Sequence, residues 1–140
     1  MTLNSMTIGD KPFYNLFLDD CRNPDNVTWI ELPKVAWQVV RSYGEFIRYI
    51  ECHGIPRIVS FDCDLAPEHY VAWSQLAEIK FEEPTGCDCV KWLVEFCRKN
   101  NKVFPIHFIH TRNLVGMALM NEYIQNHIYG KFNNEQRHNN

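Results

Sequence analysis

Hydrophobic positions along the chain gather in four short runs, "NLFLDD" (15–20), "VAWQVVRS" (35–42), "RIVSFDCDL" (57–65) and "PIHFIHT" (105–111), each bounded by Pro, Gly, Asn or charged residues. Their β-branched and aromatic content predicts strands. Three of the runs are nearly continuous rather than alternating, the pattern of strands covered on both faces of a parallel sheet. Between the runs the spacing turns helical. "YGEFIRYIECHG" (43–54) sets Phe46, Ile47, Tyr49 and Ile50 on one apolar face and ends at Gly54, a C-terminal stop. "GCDCVKWLVEFCRKNN" (86–101) aligns Cys89, Val90, Leu93, Phe96 and Cys97, turns Lys91, Glu95 and Arg98 outward, and has Thr85 as N-cap. "LVGMALMNEYIQNHI" (114–128) predicts a third helix with Leu114, Met117, Ala118, Met120 and Ile124 toward the sheet.

Strands alternating with helices imply right-handed βαβ units and an open α/β sheet. One domain is expected over residues 13–129, with a flexible N-terminus (1–12) and a flexible polar tail (130–140). Two connections are long, Asp25 to Lys34 and Ala66 to Pro84. The second is longer than most structureless loops in a compact domain, and such loops are often lids or binding loops.

Composition narrows the function classes. The chain has 140 residues, 46% hydrophobic and 22% charged, as in an ordinary globular domain. No run approaches the roughly 20 apolar residues of a membrane helix, and the N-terminus lacks the basic and apolar regions of a signal peptide. The expected location is cytoplasmic, with no membrane partner. A formal net charge of -3 argues against coating duplex DNA by counterion release, though it leaves room for a local phosphate pocket. The six cysteines read as reduced thiols, mostly small core residues, and none has an evident activating partner.

The polar residues at the strand ends carry the chemistry. Asp19 and Asp20 close the first run, Asp62 and Asp64 the third, and His110, Thr111 and Asn113 the fourth. In an open α/β sheet ligands bind outside the carboxyl ends of the strands, so these groups meet at one edge if the sheet is parallel. One Asp after a strand is more often a turn or cap residue. Three such strand ends together suit a hard divalent cation, Mg²⁺ or Mn²⁺, which prefers oxygen ligands. Arg22 is then placed to hold a phosphate, and His110 to move a proton. The helix starts "TGCD", with Thr85, and "TRNLVG", with Thr111 and Arg112, favour an anion. Zinc at Cys87, Cys89, His107 and His110 is disfavoured, because C-x-C on a helix parts its thiolates by about 200°. His107 reads as a core histidine and Trp92 as core packing. Trp29, Trp37 and Trp73 are candidates to stack on a base, Trp73 first, beside His69 and Tyr70 in the long loop.

"LFLDD" with Arg22 and Pro24, then "SFDCDL", "TGCDCVKWL" and "HTRNLVGMALM", together resemble the cyclic-phosphate-processing receiver-like domain, a divergent relative of response-regulator receivers, over roughly residues 15–128. The resemblance implies a flavodoxin-like open parallel sheet with helices on both faces and, in this chain, no fifth strand with its terminal lysine. It implies a metal cluster of Asp19, Asp20 and Asp62. The family carries a histidine where this chain has Cys63, and commonly a serine at Thr111. It is associated with processing cyclic phosphates, such as 2′,3′-cyclic RNA ends or cyclic nucleotides, in bacteria and their viruses.

The leading expectation is a metal-dependent phosphoesterase. Its catalytic set is His110, Asp62 and Asp64, and its phosphate-binding set is Arg22, Thr85, Thr111, Arg112 and Asn113. Two rivals follow: a module that captures a cyclic nucleotide without cleaving it, as a counter-defence would, and a degenerate receiver acting through protein partners with Asp62 as phosphoacceptor.

Overall fold

A computed structural model describes residues 7–8, 11–65 and 84–138 of the chain, and side chains over 13–65 and 84–130. Thr7–Ile8 (β1) and Lys11–Pro12 (β2) form a small antiparallel ribbon, inside the stretch expected to be frayed. The main sheet follows from the four apolar runs: Asn15–Leu18 (β3), Gln38–Val40 (β4), Ile58–Phe61 (β5) and Ile106–Ile109 (β6). All pairings are parallel, in the order β4-β3-β5-β6. This is the receiver-like, flavodoxin-like α/β arrangement. Among the described residues no strand follows β6.

Among the described residues three α-helices accompany the sheet, Tyr43–His53 (α1), Gly86–Lys99 (α2) and Leu114–His138 (α3). Ser42 caps α1 by accepting from the Glu45 N–H, and Asp88 reaches back to the Thr85 N–H at the start of α2. Alternation along the strands divides the sheet into two faces. Leu16, Leu18, Val59 and Phe61 join Phe46 and Ile50 of α1, Leu93 and Cys97 of α2, and Met120 and Ile124 of α3 in one core. Burying each such large side chain is worth about 1.5–3 kcal/mol. The other face carries Phe17, Ser60 and His110, all fully buried. Trp92 packs against this core and stacks on Phe96, while His107 lies beside the Phe104 ring.

The central strands β3 and β5 are buried, as their unbroken hydrophobicity predicts. β6 is an edge strand, and Ile106 is 58% exposed. Two features of α3 differ from expectation. Its buried stripe is Gly116, Met120, Ile124 and His127, whereas Leu114 is 75% exposed and Ala118 also faces out. A Cβ on residue 116 would lie 2.4 Å from Cys63 Sγ, so α3 must turn its glycine to that contact, and the helix phase follows. The helical backbone also runs on to His138, beyond the residues 114–128 whose spacing predicts the helix. Residues 66–83 of the long connection, with His69, Tyr70 and the stacking candidate Trp73, lie outside the described residues. No helix among those described is long and apolar enough to cross a membrane.

Candidate metal and phosphate site

Three residues stand immediately past three adjacent strands and extend the sheet's hydrogen bonding by one step. Asp19 N donates to Val40 O at 3.1 Å, Asp62 N to Leu18 O at 3.0 Å, and His110 N to Phe61 O at 2.9 Å. The parallel register therefore sets Asp19, Asp62 and His110 in one row along the carboxyl edge. Each also sits two residues beyond a residue of the Phe17 and Ser60 face, so all three side chains leave the sheet on that side. One ligand-capable atom from each lies within 4.8 Å of the others. Asp20 belongs to a second such group, with Asp19 and Cys21.

His110 is wholly buried and held on every side. Its ring stacks on Phe17 with centroids 4.4 Å apart. Nε2 is 3.0 Å from Asp19 Oδ2, and Nδ1 is 2.6 Å from Ser60 Oγ. An ionised carboxylate only accepts, so the neutral ring carries its proton on Nε2 and Nδ1 accepts from the Ser60 hydroxyl. Burial lowers the His110 pKa, opposed by the Asp19 partner. Both ring nitrogens are thus engaged within the protein.

Asp19 is correspondingly well supplied. Its Oδ1 accepts from the backbone N–H groups of Cys21 at 3.0 Å and Arg22 at 2.8 Å, and Arg22 Nη1 lies 3.7 Å from Oδ2. Burial would raise its pKa, but the hydrogen bonds from His110, Arg22 and Cys21 prevail and hold it at about 2. Asp62 is the opposite case. Oδ1 accepts from the Cys63 N–H at 2.9 Å, while Oδ2 is buried without a hydrogen-bond partner among the described residues. Burial first, and then the charge of Asp19, pushes Asp62 up to about 7. Asp20 Oδ1 is likewise buried and has no hydrogen-bond partner among the described residues, and burial followed by Asp19 raises the Asp20 pKa.

The loop after β3 supplies the positive rim. Arg41, just past β4, donates from Nη1 to the carbonyls of Arg22 at 2.6 Å and Asp19 at 3.3 Å, and from Nη2 to Asn23 Oδ1 at 2.7 Å. That latch fixes the loop carrying Arg22. Trp29 donates its indole N–H to the His110 carbonyl at 2.8 Å. The guanidinium carbons of Arg22 and Arg112 lie 5.0 and 5.1 Å from the centroid of this ring. Trp29 thereby gathers two cations beside the acidic row.

The remaining expected residues form a neighbouring frame. Asn113 Nδ2 is 3.4 Å from both carboxylate oxygens of Asp64, Asn113 Oδ1 accepts from the Gly116 N–H at 3.0 Å, and Thr111 Oγ1 accepts from the Asn113 N–H at 3.2 Å. These contacts cap α3. Thr85 donates through its N–H and hydroxyl to Asp88 Oδ2, and Gly86 N donates to Cys63 O at 2.7 Å. A Cβ on residue 86 would come within 1.8 Å of the Asp62 carbonyl oxygen, so α2 begins in direct contact with the Asp62 turn.

All six cysteines are free, with Cys21 and Cys52 exposed. Cys63 and Cys87 approach to 3.9 Å between sulfurs. Their hydrogen bond raises the Cys63 pKa and lowers that of Cys87, an activating partner that sequence reading does not find. It also misses Ser60, Arg41 and the role of Trp29. A serine inside the apolar "IVSF" is a legible sign of a buried partner; the identity of that partner, 50 residues away, is not.

The family model described as the cyclic-phosphate processing receiver domain matches residues 14–126. No curated protein and no solved structure significantly matches the chain.

Proposed function

The chain belongs to the cyclic-phosphate processing receiver domain family, and on that premise we propose that it is a metal-dependent phosphoesterase acting on a cyclic phosphate, either a 2′,3′-cyclic RNA end or a cyclic nucleotide. The observation that carries this reading is Asp62 Oδ2, a buried carboxylate oxygen that meets no donor among the described residues and lies beside the ionised Asp19. Such an atom is costly unless a proton or a cation meets it. The oxygen-rich donor set of Asp19, Asp20 and Asp62 suits Mg²⁺ or Mn²⁺. When bound, the cation supplies polarisation of the phosphate ester and orientation of a water.

The chain's own residues prepare that chemistry. His110 holds Asp19 in place through Nε2 and is itself held by Ser60, so in this reading it is a positioning residue for Asp19. Arg22 and Arg112, gathered on Trp29, take the phosphate oxygens that face away from the carboxylates. Asp64, Thr111 and Asn113 fix the start of α3 beside the site, and Thr85 fixes the start of α2.

The test is mass spectrometry of 2′,3′-cyclic mononucleotides, cyclic-ended RNA and cyclic di- and trinucleotides incubated with the protein and Mg²⁺ or Mn²⁺, with Asp62→Asn as control. Turnover that disappears in the control supports the reading. Every ligand recovered intact, with one of them retained by the protein, replaces it with capture without cleavage.

A further inference from the structure

Cys63 and Cys87 stand on different elements, one in the turn after β5 and the other in the first turn of α2, with sulfurs 3.9 Å apart. We infer that they form a dithiol site which a hydroperoxide oxidises to a disulfide, and that closing this bond displaces the turn bearing Asp62. A disulfide needs its sulfurs at about 2.05 Å, so the pair must close nearly half of its present separation.

The surroundings assign the two thiols different parts. Cys87 is half-buried and lines a cavity of about 340 Å³ together with Lys91, Leu119, Met120 and Tyr123. A small oxidant reaches it there. Cys63 is fully buried against Gly116, where any side chain would collide with its sulfur. The Cys87 sulfur attacks one peroxide oxygen, forming a sulfenic acid as the O–O bond breaks and the other oxygen leaves as water or alcohol. The Cys63 sulfur then attacks the Cys87 sulfur, forming the S–S bond and releasing the sulfenic oxygen as a second water with the thiol proton. Two thiols are oxidised and one peroxide is reduced.

Closing the bond cannot leave Asp62 untouched. Gly86, next to Cys87, donates to the Cys63 carbonyl at 2.7 Å and presses on the Asp62 carbonyl so closely that no Cβ fits. The two segments are therefore in rigid contact at the point where the sulfurs must approach. Drawing Cys63 toward α2 shifts its neighbour Asp62, whose Oδ1 is bound to the Cys63 N–H. The consequence for cation binding rests on the metal-site reading above; formation of the disulfide does not.

The full chain is reduced, treated with a small excess of hydrogen peroxide, digested without reductant and mapped by mass spectrometry, with hydrogen exchange of the 61–65 segment and Mn²⁺ affinity measured before and after. The expected result is a Cys63–Cys87 linked peptide reversed by dithiothreitol and absent in Cys87→Ser and Cys63→Ala, altered exchange at 61–65, and Mn²⁺ binding weakened at least tenfold. No linked peptide overturns the dithiol site. A linked peptide with unchanged exchange and unchanged Mn²⁺ affinity overturns the coupling to Asp62. Reduced protein without Mn²⁺ affinity removes the metal-site reading alone, and the linked peptide and exchange then decide the inference.

Discussion

His110 Nε2 lies 3.0 Å from Asp19 Oδ2, with both side chains closed to solvent. The pair spans the sheet, since β5 runs between their two strands. The imidazole, stacked on Phe17 and bonded to Ser60 over β5, bridges that distance. Removing the ring opens a cavity and leaves both Ser60 and Asp19 short of a partner. His110→Ala is therefore expected to cost on the order of 2–4 kcal/mol in urea unfolding. It should also weaken Mn²⁺ binding, because Asp19 loses the contact that aims it. His110→Gln, which retains an amide donor, should recover part of both. Wild-type Mn²⁺ affinity in His110→Ala would remove the positioning role.

Asp62 makes the site pH-dependent in a direction that can be worked out. Its folded pKa of about 7 stands above the ordinary carboxyl value of 3.8. Between those values the folded chain keeps a proton that the unfolded chain has released, so folding stability from this group falls as pH rises from about 4 to about 7. The same proton competes with a cation. Mn²⁺ affinity should rise up to tenfold per pH unit below about 7 and level off above it. Asp62→Asn should flatten both trends and stabilise the metal-free protein at neutral pH. Isothermal titration in a pH series checks the first expectation, and an affinity independent of pH between about 5 and 8 would exclude Asp62 as the competing group.

Gly86 gives a sharper stability test than any apolar core position. A methyl there would sit 1.8 Å from the Asp62 carbonyl oxygen and 2.7 Å from Met120 Cε, and the carbonyl is backbone that cannot swing aside. Gly86→Ala is expected to lower stability by about 2–4 kcal/mol and to disturb the Asp62 turn. Gly44→Ala serves as the comparison. Its new methyl meets only the mobile end of Arg48 at 3.1 Å, so the gain in helix propensity should make it neutral or stabilising by up to about 1 kcal/mol. Equal thermal denaturation midpoints for the two variants would refute the close contact.

The legibility of the fold follows from the range over which each determinant acts. The runs containing β3 and β5 betray themselves locally, because strands packed on both sides need unbroken apolar sequence, and those containing β4 and β6 through their β-branched and aromatic residues. Convergence of Asp19, Asp62 and His110 follows from the parallel order and could be read from the strand ends. The phase of α3 could not. Leu114 and Ala118 match the helical period as well as Gly116 does, and only the approach of Cys63 selects the glycine. The same limit hides the Ser60–His110 bond and the Cys63–Cys87 contact. Each joins residues whose pairing depends on register and on a gap left by a third residue, and neither quantity is written in local spacing.

Trp29 offers the clearest separation of binding from folding. Its ring is anchored to the His110 carbonyl and carries the guanidinium groups of both Arg22 and Arg112. Arg112 is exposed, so Arg112→Ala should leave the unfolding free energy within about 0.5 kcal/mol of wild type. Binding of a 2′,3′-cyclic mononucleotide in the presence of Mn²⁺ should nevertheless weaken about tenfold, near 1.4 kcal/mol, through loss of one charge-assisted contact. Trp29→Leu removes the support of both cations and should weaken binding further. Arg112→Lys keeps the charge while losing the planar group that lies over the indole, so it should fall between Arg112→Ala and wild type. Affinity fully retained in Arg112→Lys would mean that charge alone is used and that the stacking on Trp29 contributes nothing to recognition.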